Sequence, residues 1–553
     1  MKKLVLRFTF AVFAFICLSA QAAQAQNSGA FAIRNARIVT GSGATIERGT
    51  IVIRGGLIEA VGENPKVPAD ARVFDGSGLT VYPGFFDANT NLGMPASPPP
   101  RQPGQPQGQQ AQQQQPQSNS NYPAGLQPEI AAFDQFQANE SQFDAQRGNG
   151  ITTVLTVSRD GIFNGQSAII NLAGESVASM TVKTPFAQHI TFRSLGGGRY
   201  PSSLMGTFSV IRQMLLDAKR LYDWRKAYEA NPRGMQRPDE DKSLEALFPV
   251  IEGKMPVVFN ANREIEIIRA LNIAKEFNLK AIIAGGQEAW KVADRLKAQN
   301  VPVLLSLNFP KRTTAASDEA DPESLETLRM RAEAPKNAAR LAQAGVKFAF
   351  QSGGMNYADF WTNVNKTVEN GLSKDAAIRA MTLSAAEIFG LENRLGTIEQ
   401  GKIANLVVSR GDIFSKDKTI IHVFVDGKLF EPRQPERRTA PAASGGTTST
   451  PPRINVSGTW NVTVEIPGQI VQATFNLQQE GDKITGNMQS PFFGTTQIRN
   501  GKVTAEGFSF DATVPVGGES IEVTVTGKVT GTQISGMVGS PQGAMPFTGV
   551  KVP

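Results

Sequence analysis

The chain is poor in the residues that usually staple or metallate a protein. Its 553 residues include one cysteine, Cys17, and two histidines, His189 and His422. A disulfide within the chain is excluded, so stability must come from burial, and this length supplies several hydrophobic cores. Charge of one sign is not in excess: 56 Lys and Arg stand against 49 Asp and Glu, for a formal charge of +7. No Lys/Arg cluster runs along one segment, which excludes a nucleic-acid footprint and leaves a solvated surface. No apolar run reaches the roughly 20 residues that a membrane-spanning helix needs.

What is there begins with an address. Lys2, Lys3 and Arg7 precede an apolar run from Phe8 to Leu18, and small residues follow around Ala23-Gln24-Ala25. That is the order of a secretory signal peptide over residues 1–25, with the cut expected after Ala25. Cys17 follows Phe15 and Ile16 and lacks the small preceding residue of a lipid-attachment site. The expectation is export to the periplasm or the extracellular space. The mature chain then carries +4 and no cysteine, although an exported protein could form disulfides.

Composition and periodicity divide the rest. Residues 27–83 hold short alternating segments such as Ala32–Val39, Thr50–Arg54 and Leu57–Val61, punctuated by glycine, which predicts a β-meander. Residues 95–122 are rich in Pro, Gln and Ser, cannot build a core, and read as a disordered surface insertion. From about 148 to 390, apolar runs alternate with amphipathic stretches. Strands are predicted at 151–155, 256–259, 280–283, 301–305 and 346–350, with helices at Ile265–Phe277 and Glu288–Gln299 between them. This alternation predicts an α/β domain with a parallel sheet, of a length that suits a (β/α)8 TIM barrel. Residues 396–432 return to short strands, 433–453 read as a linker, and 454–553 predict an antiparallel all-β domain. That last segment repeats itself: Gly481-Asp482-Lys483-Ile484-Thr485-Gly486 against Gly531-Thr532-Gln533-Ile534-Ser535-Gly536. Two similar hairpins suggest a small barrel or sandwich.

Two distant motifs carry a resemblance. Val81-Tyr82-Pro83-Gly84-Phe85-Phe86-Asp87-Ala88-Asn89-Thr90-Asn91 resembles the first barrel strand of the amidohydrolase superfamily, in the imidazolonepropionase-like branch. There a Pro-Gly-hydrophobic-hydrophobic-Asp-Ala run leads into His-x-His. Arg394-Leu395-Gly396-Thr397-Ile398-Glu399-Gln400-Gly401-Lys402-Ile403-Ala404-Asn405 resembles the segment by which such chains leave the barrel and rejoin the N-terminal strands, with Asn405 where Asp is usual. The resemblance implies a TIM barrel over residues 84–395 and a composite β-sandwich from the strands of 27–83 and 396–432. It also implies hydrolysis of carbon–nitrogen bonds by a metal-bound water, whose pKa the cation lowers to about 7.

Carried over position by position, the metal ligands are missing. The two histidines after the first strand correspond to Asn89 and Asn91. The fifth-strand histidine corresponds to Asn260, in Asn260-Ala261-Asn262-Arg263, the sixth-strand histidine to Gly285, and the last-strand aspartate to Gly353. The amide of asparagine is neutral and a weak ligand for zinc, and glycine offers no side chain. His189 falls near the position of the family's bridging lysine. Asp87 and Ser352 are a single carboxylate and a hydroxyl without a histidine to activate it, so they read as polar lining.

The expectation is an amidohydrolase-like protein without catalytic residues, metal or other cofactor. Its vestigial pocket is expected at Asn89, Asn91, His189, Asn260, Asn262, Gly285 and Gly353. It would bind a small molecule or partner an active amidohydrolase relative. Two alternatives stand: a hydrolase with a re-made site using His189, and a binding module acting through the C-terminal domain. Gly458-Thr459-Trp460 there resembles the first strand of lipocalin-like barrels, in which the tryptophan plugs the base. His422 reads as a strand residue packed in the sandwich.

Overall fold

The computed structural model describes residues 29–95, 122–195, 200–310, 323–432 and 455–552, leaving aside 356, 416, 467–468, 492, 505–506, 517–518 and 541–542. The expected signal peptide, nearly all of the Pro/Gln-rich insertion and the linker 433–453 lie outside the described residues. The chain divides into two compact units at Arg437/Arg438.

In the larger unit the N-terminal meander forms β1 (Ala30–Val39), β2 (Thr45–Arg54), β3 (Leu57–Gly62), β4 (Arg72–Asp75) and β5 (Leu79–Pro83). The barrel follows with β6 (Phe85–Thr90), β7 (Ile151–Thr156), β8 (Phe163–Gln166), β9 (Ala168–Asn171), β10 (Thr181–Lys183) and β11 (Gln188–Thr191). It continues with β12 (Val257–Ala261), β13 (Ala281–Gly285), β14 (Val303–Ser306) and β15 (Phe348–Gln351). The chain then returns through β16 (Leu406–Arg410), β17 (Thr419–Val425) and β18 (Lys428–Phe430).

The flanking strands make one continuous sheet, in the order β18-β17-β16-β5-β1-β2-β3, with β4 also on β1. The long strand β1 allows this. Bulges around Ala36 let its first half pair with β4 and its second half with β5. Ile33, Ile38, Ile51, Ile53, Leu406 and Phe424 form its buried face.

In the barrel, β6 pairs parallel with β7, and β11 to β15 pair parallel in chain order. Every residue of β6 and β7 is buried, as expected of parallel strands covered on both faces. The wall closes between the last and first strands, where Gly353 N–H donates to Asn89 O at 3.1 Å. One wall position departs from the (β/α)8 expectation. The bent pair β8–β9, joined at Ser167, runs antiparallel to both β7 and β11. Only residues 157–162 separate β7 from β8. A parallel crossover needs a dozen or more residues, so the chain must turn back on itself.

The helices fall near their expected places. One spans Glu264–Glu276, and the stretch after Glu288 is a 3-10 turn (Ala289–Val292) running into a short helix (Ala293–Ala298). Phe86, Phe186 and Phe389 pack together at the N-terminal end of the barrel, with the Phe389 ring tilted against Phe86 at 6.0 Å between centroids and edge-to-face with Phe186 at 5.1 Å. That aromatic stopper leaves the opposite end, where the strands terminate, as the polar end.

The smaller unit is a closed antiparallel barrel of eight strands in chain order. They are β19 (Gly458–Ile466), β20 (Gln469–Glu480), β21 (Lys483–Ser490), β22 (Gly494–Thr504), β23 (Gly507–Val516), β24 (Glu519–Thr530), β25 (Gln533–Ser540) and β26 (Gly543–Lys551). The internal repeat becomes two equivalent hairpins, β20–β21 and β24–β25. Each has a two-residue turn that opens on a glycine at positive φ, Gly481 (+63°) or Gly531 (+62°). Trp460 is fully buried, and its indole N–H donates to Val456 O at 2.9 Å.

Candidate functional site

The C-terminal ends of β6, β12, β13 and β15 carry Asn89, Asn260, Gly285 and the turn containing Gly353; Asn91 and Asn262 follow β6 and β12 directly. All six positions therefore lie at one end of the barrel, the end at which this architecture presents its chemistry.

Two of the asparagines there donate to neighbouring side chains. Asn89 is buried; its Nδ2 donates to Gln351 Oε1 at 2.6 Å, and Gln351 Nε2 donates to Leu304 O at 2.7 Å. Asn260 Nδ2 donates to Thr191 Oγ1 at 3.0 Å, and Thr191 Oγ1 donates to Asn164 Oδ1 at 2.7 Å. The main-chain N–H of Asn262 is held by Glu266 Oε2 at 2.8 Å, and Asn262 Oδ1 fills the volume that a side chain at Gly285 would need. Gly285 has φ +97° and Gly353 φ +59°. The first is hostile to any side chain; the second lies in the left-handed region, which Asn and Asp also visit.

Asp87 anchors the rim. Oδ1 accepts from Ser352 N–H at 2.8 Å and Asn89 N–H at 3.3 Å, and Oδ2 accepts from Ser352 Oγ and Tyr357 Oη, both at 2.5 Å. The residue is fully buried, and burial pushes its carboxyl above the usual carboxylate range although all four donors pull it down. The Tyr357 phenol is pushed well up by burial and then by the neighbouring Asp87 charge. Asp87 thus ties the first strand to the last and to the helix Tyr357–Glu369.

His189 sits deeper. Its backbone is level with Val258, whereas Thr191, two residues on, is level with Asn260. It is fully buried and neither ring nitrogen has a partner among the described residues. Burial lowers its pKa from 6.5 to about 3. His422 lies in the flanking sheet against Phe74, with ring centroids 4.9 Å apart.

The polar end also recruits residues that sequence reasoning did not single out: Gln351, Thr191, Asn164, Tyr357 and Arg159. Arg159 follows β7 in the turn Ser158-Arg159-Asp160-Gly161, a polar stretch after an apolar strand, which was its available signal. Its guanidinium reaches the last-strand turn: a Cβ on Gly354 would lie 3.0 and 3.1 Å from Nη2 and Nη1 and 2.8 Å from Asn91 Oδ1. Among the described residues, no group of three or more His, Cys, Asp or Glu is arranged to hold a metal ion. At the positions where the resemblance implies ligands stand neutral amides and glycines, a donor set that does not fit a divalent cation.

At the other end of the barrel, Asn405 joins wall to flanking sheet. Its Nδ2 donates to Thr153 Oγ1 and to Asn171 Oδ1, both at 3.1 Å, while its Oδ1 accepts from Asp426 N–H at 2.8 Å.

Comparison with known proteins agrees with this architecture. Residues 254–430 match the model of the amidohydrolase family. The chain is similar to the crystal structure of an amidohydrolase from Thermotoga maritima, at 26% identity and a TM-score of 0.61, over 73% of this chain and 100% of that one. A stretch of 62 residues is 40% identical to a 5-methylthioadenosine/S-adenosylhomocysteine deaminase of Pyrococcus furiosus. That stretch is 11% of this chain and spans only 15% of the length of that curated relative.

Proposed function

We propose, from the premise that the larger unit is an amidohydrolase-family domain, that this is an exported, non-catalytic member that uses the former metal pocket to bind a small polar ligand. The observation that carries the reading is the concerted replacement at Asn89, Asn91, Asn260, Gly285 and Gly353. Loss of one ligand could be repaired by a neighbour. Here Asn89 is engaged by Gln351, Asn260 by Thr191, and the space at Gly285 is taken by Asn262. Neutral amides of this kind recognise hydrogen-bonding ligands rather than ionise a metal-bound water. An active relative in the same compartment is the natural source or consumer of such a ligand.

The test combines metal analysis with a turnover screen on the full mature chain. Purified protein is expected to carry no stoichiometric divalent metal after incubation with zinc, and to turn over no amide, dipeptide or cyclic imide. Stoichiometric zinc together with turnover would end this reading.

A further inference from the structure

One stretch of the larger unit turns apolar side chains outward. The helix Leu204–Ala230 packs inward through Thr207, Ile211, Met214, Leu215, Ala218 and Leu221. At about 100° per residue, Met205 and Leu216 fall on the opposite side, on one line and three turns apart. They are 83% and 51% exposed. The helix Glu264–Glu276 runs beside it in the same direction: the Arg269 guanidinium lies 5.2 Å over the Phe208 ring, and Arg212 Nε meets Glu276 Oε2 at 2.8 Å. One turn before the first of these contacts, Ile265 stands beside Leu204, and the two are 50% and 43% exposed. The four side chains make one apolar stripe on the outside of the barrel. A contiguous exposed stripe of this kind marks an interaction surface.

We propose that this stripe is a two-fold interface between two copies of this chain, with the Leu204–Ala230 helices crossing antiparallel at Ser209 and Arg212. The spacing is self-complementary. Met205 and Leu216 lie equally far from the midpoint between Val210 and Ile211. A two-fold axis at that midpoint sets Met205 of each copy against Leu216 of the other, and Ser209 against Arg212. Ser209 is small and exposed, which lets the two helices approach closely at the crossing. Charge follows the same order. Beyond Leu216 stand Lys219, Arg220, Arg225 and Lys226 against Asp217 and Asp223, a cationic excess. Beside Ile265, Glu264 and Glu266 outnumber Arg263. The antiparallel arrangement brings the cationic end of one copy to the acidic end of the other, whereas a parallel pair would set like charge on like. No residue of the stripe belongs to the pocket, so the interface is independent of the pocket's role.

The test is sedimentation of the full mature chain over a range of concentrations. From Met205 to Leu216 the stripe is about 16 Å long, at about 1.5 Å per residue. It buries less than the roughly 800 Å² per partner of a standard interface, so a reversible dimer with Kd on the order of 10 μM is expected. Leu216→Glu should raise Kd roughly tenfold or more, and it should melt as the parent does because the side chain faces solvent within one copy. Disulfide trapping reads the register. Cleavage after Ala25 removes Cys17, so the mature chain starts without cysteine. A mixture of the Met205→Cys and Leu216→Cys proteins should be trapped as a disulfide dimer by molecular oxygen, and neither variant alone should be. Like positions lie about 16 Å apart in the antiparallel pair, and a disulfide needs Cα atoms within about 7 Å. A chain that stays monomeric at about ten times the expected Kd assigns the stripe to another occupant and overturns the proposal. So does a dimer that Leu216→Glu leaves intact, or a mixture that is trapped no better than the single variants.

Discussion

Replacing His189 by leucine should stabilise the protein, and the gain should grow as the pH falls. In the folded chain the imidazole is fully buried and neither nitrogen has a partner among the described residues. A neutral histidine so placed forfeits hydrogen bonds to water worth about 1–3 kcal/mol. A leucine side chain of similar volume does not, so the His189→Leu variant is expected to be at least as stable as the parent at pH 7. The acid limb is more diagnostic. Burial lowers the pKa from 6.5 to about 3. The unfolded chain therefore binds the proton first, and folding stability drains away as pH falls from about 6.5 toward about 3. At about 1.36 kcal/mol per unit, the penalty reaches about 2 kcal/mol at pH 5 and about 5 kcal/mol near pH 3. Urea unfolding at pH 7 and pH 5, followed through Trp224, Trp290 and Trp361 of the larger unit, measures this; Trp460 reports the smaller unit and is common to both proteins. The difference between His189→Leu and parent should widen by about 2 kcal/mol between the two pH values. Parallel curves, or a variant that is less stable by more than about 2 kcal/mol at pH 7, would show that His189 has a buried partner and would refute the reasoning.

Four other outcomes are expected. Asp87→Ala should cost about 2–4 kcal/mol, because four donors lose their acceptor, whereas Asp87→Asn keeps Oδ1 for the two backbone N–H groups and should cost less; chemical denaturation of both variants checks the order. The parent's Asp87 carboxyl lies above the usual range, so its ionisation should lower stability as pH rises through that raised value, and Asp87→Asn should remove this component. Asn405→Asp, the residue usual in the superfamily that this segment resembles, should destabilise by about 1–3 kcal/mol, since the bond donated to Asn171 Oδ1 becomes a contact between two acceptors and the single Thr153 hydroxyl proton, now given to Asn171, can serve only one of them; a gain in melting temperature would contradict this. Lys418 Nζ lies 3.4 Å from the Trp361 ring centroid, and burial lowers its pKa to about 7. Stability should rise as pH climbs above about 7, and Lys418→Met should flatten that rise in melts at pH 7 and 9.

Much of the architecture was legible because periodicity and turn chemistry are local. The mostly apolar runs of β7, β12 and β15 predict strands covered on both faces, and the two Gly-led turns of the C-terminal repeat predict equivalent hairpins. The antiparallel third wall position was not marked by a long apolar run. Its cause, the short connection over residues 157–162, shows only once β8 and β9 are placed between β7 and β11. The helix expected from Glu288 to Gln299 is divided into a 3-10 turn and a shorter helix, so the amphipathic pattern persists while its regular hydrogen bonding does not.

For the pocket the division is sharper. The shortage of histidine and the residue types at Asn89, Asn91, Asn260, Gly285 and Gly353 are properties of the sequence, because composition and short motifs state which donors exist. Which donors are already engaged is not local. Asn89 meets Gln351 across 262 positions of chain, and Asp87 gathers Ser352 from the turn after the last strand and Tyr357 from the helix that follows it. Closure of the wall between its first and last strands creates those pairs. The chemical groups this protein lacks are written in its order of residues, where each type is either present or absent. Whether a group that is present has found a partner, or still needs one, depends on strands distant in the chain becoming neighbours, and only folding makes them so.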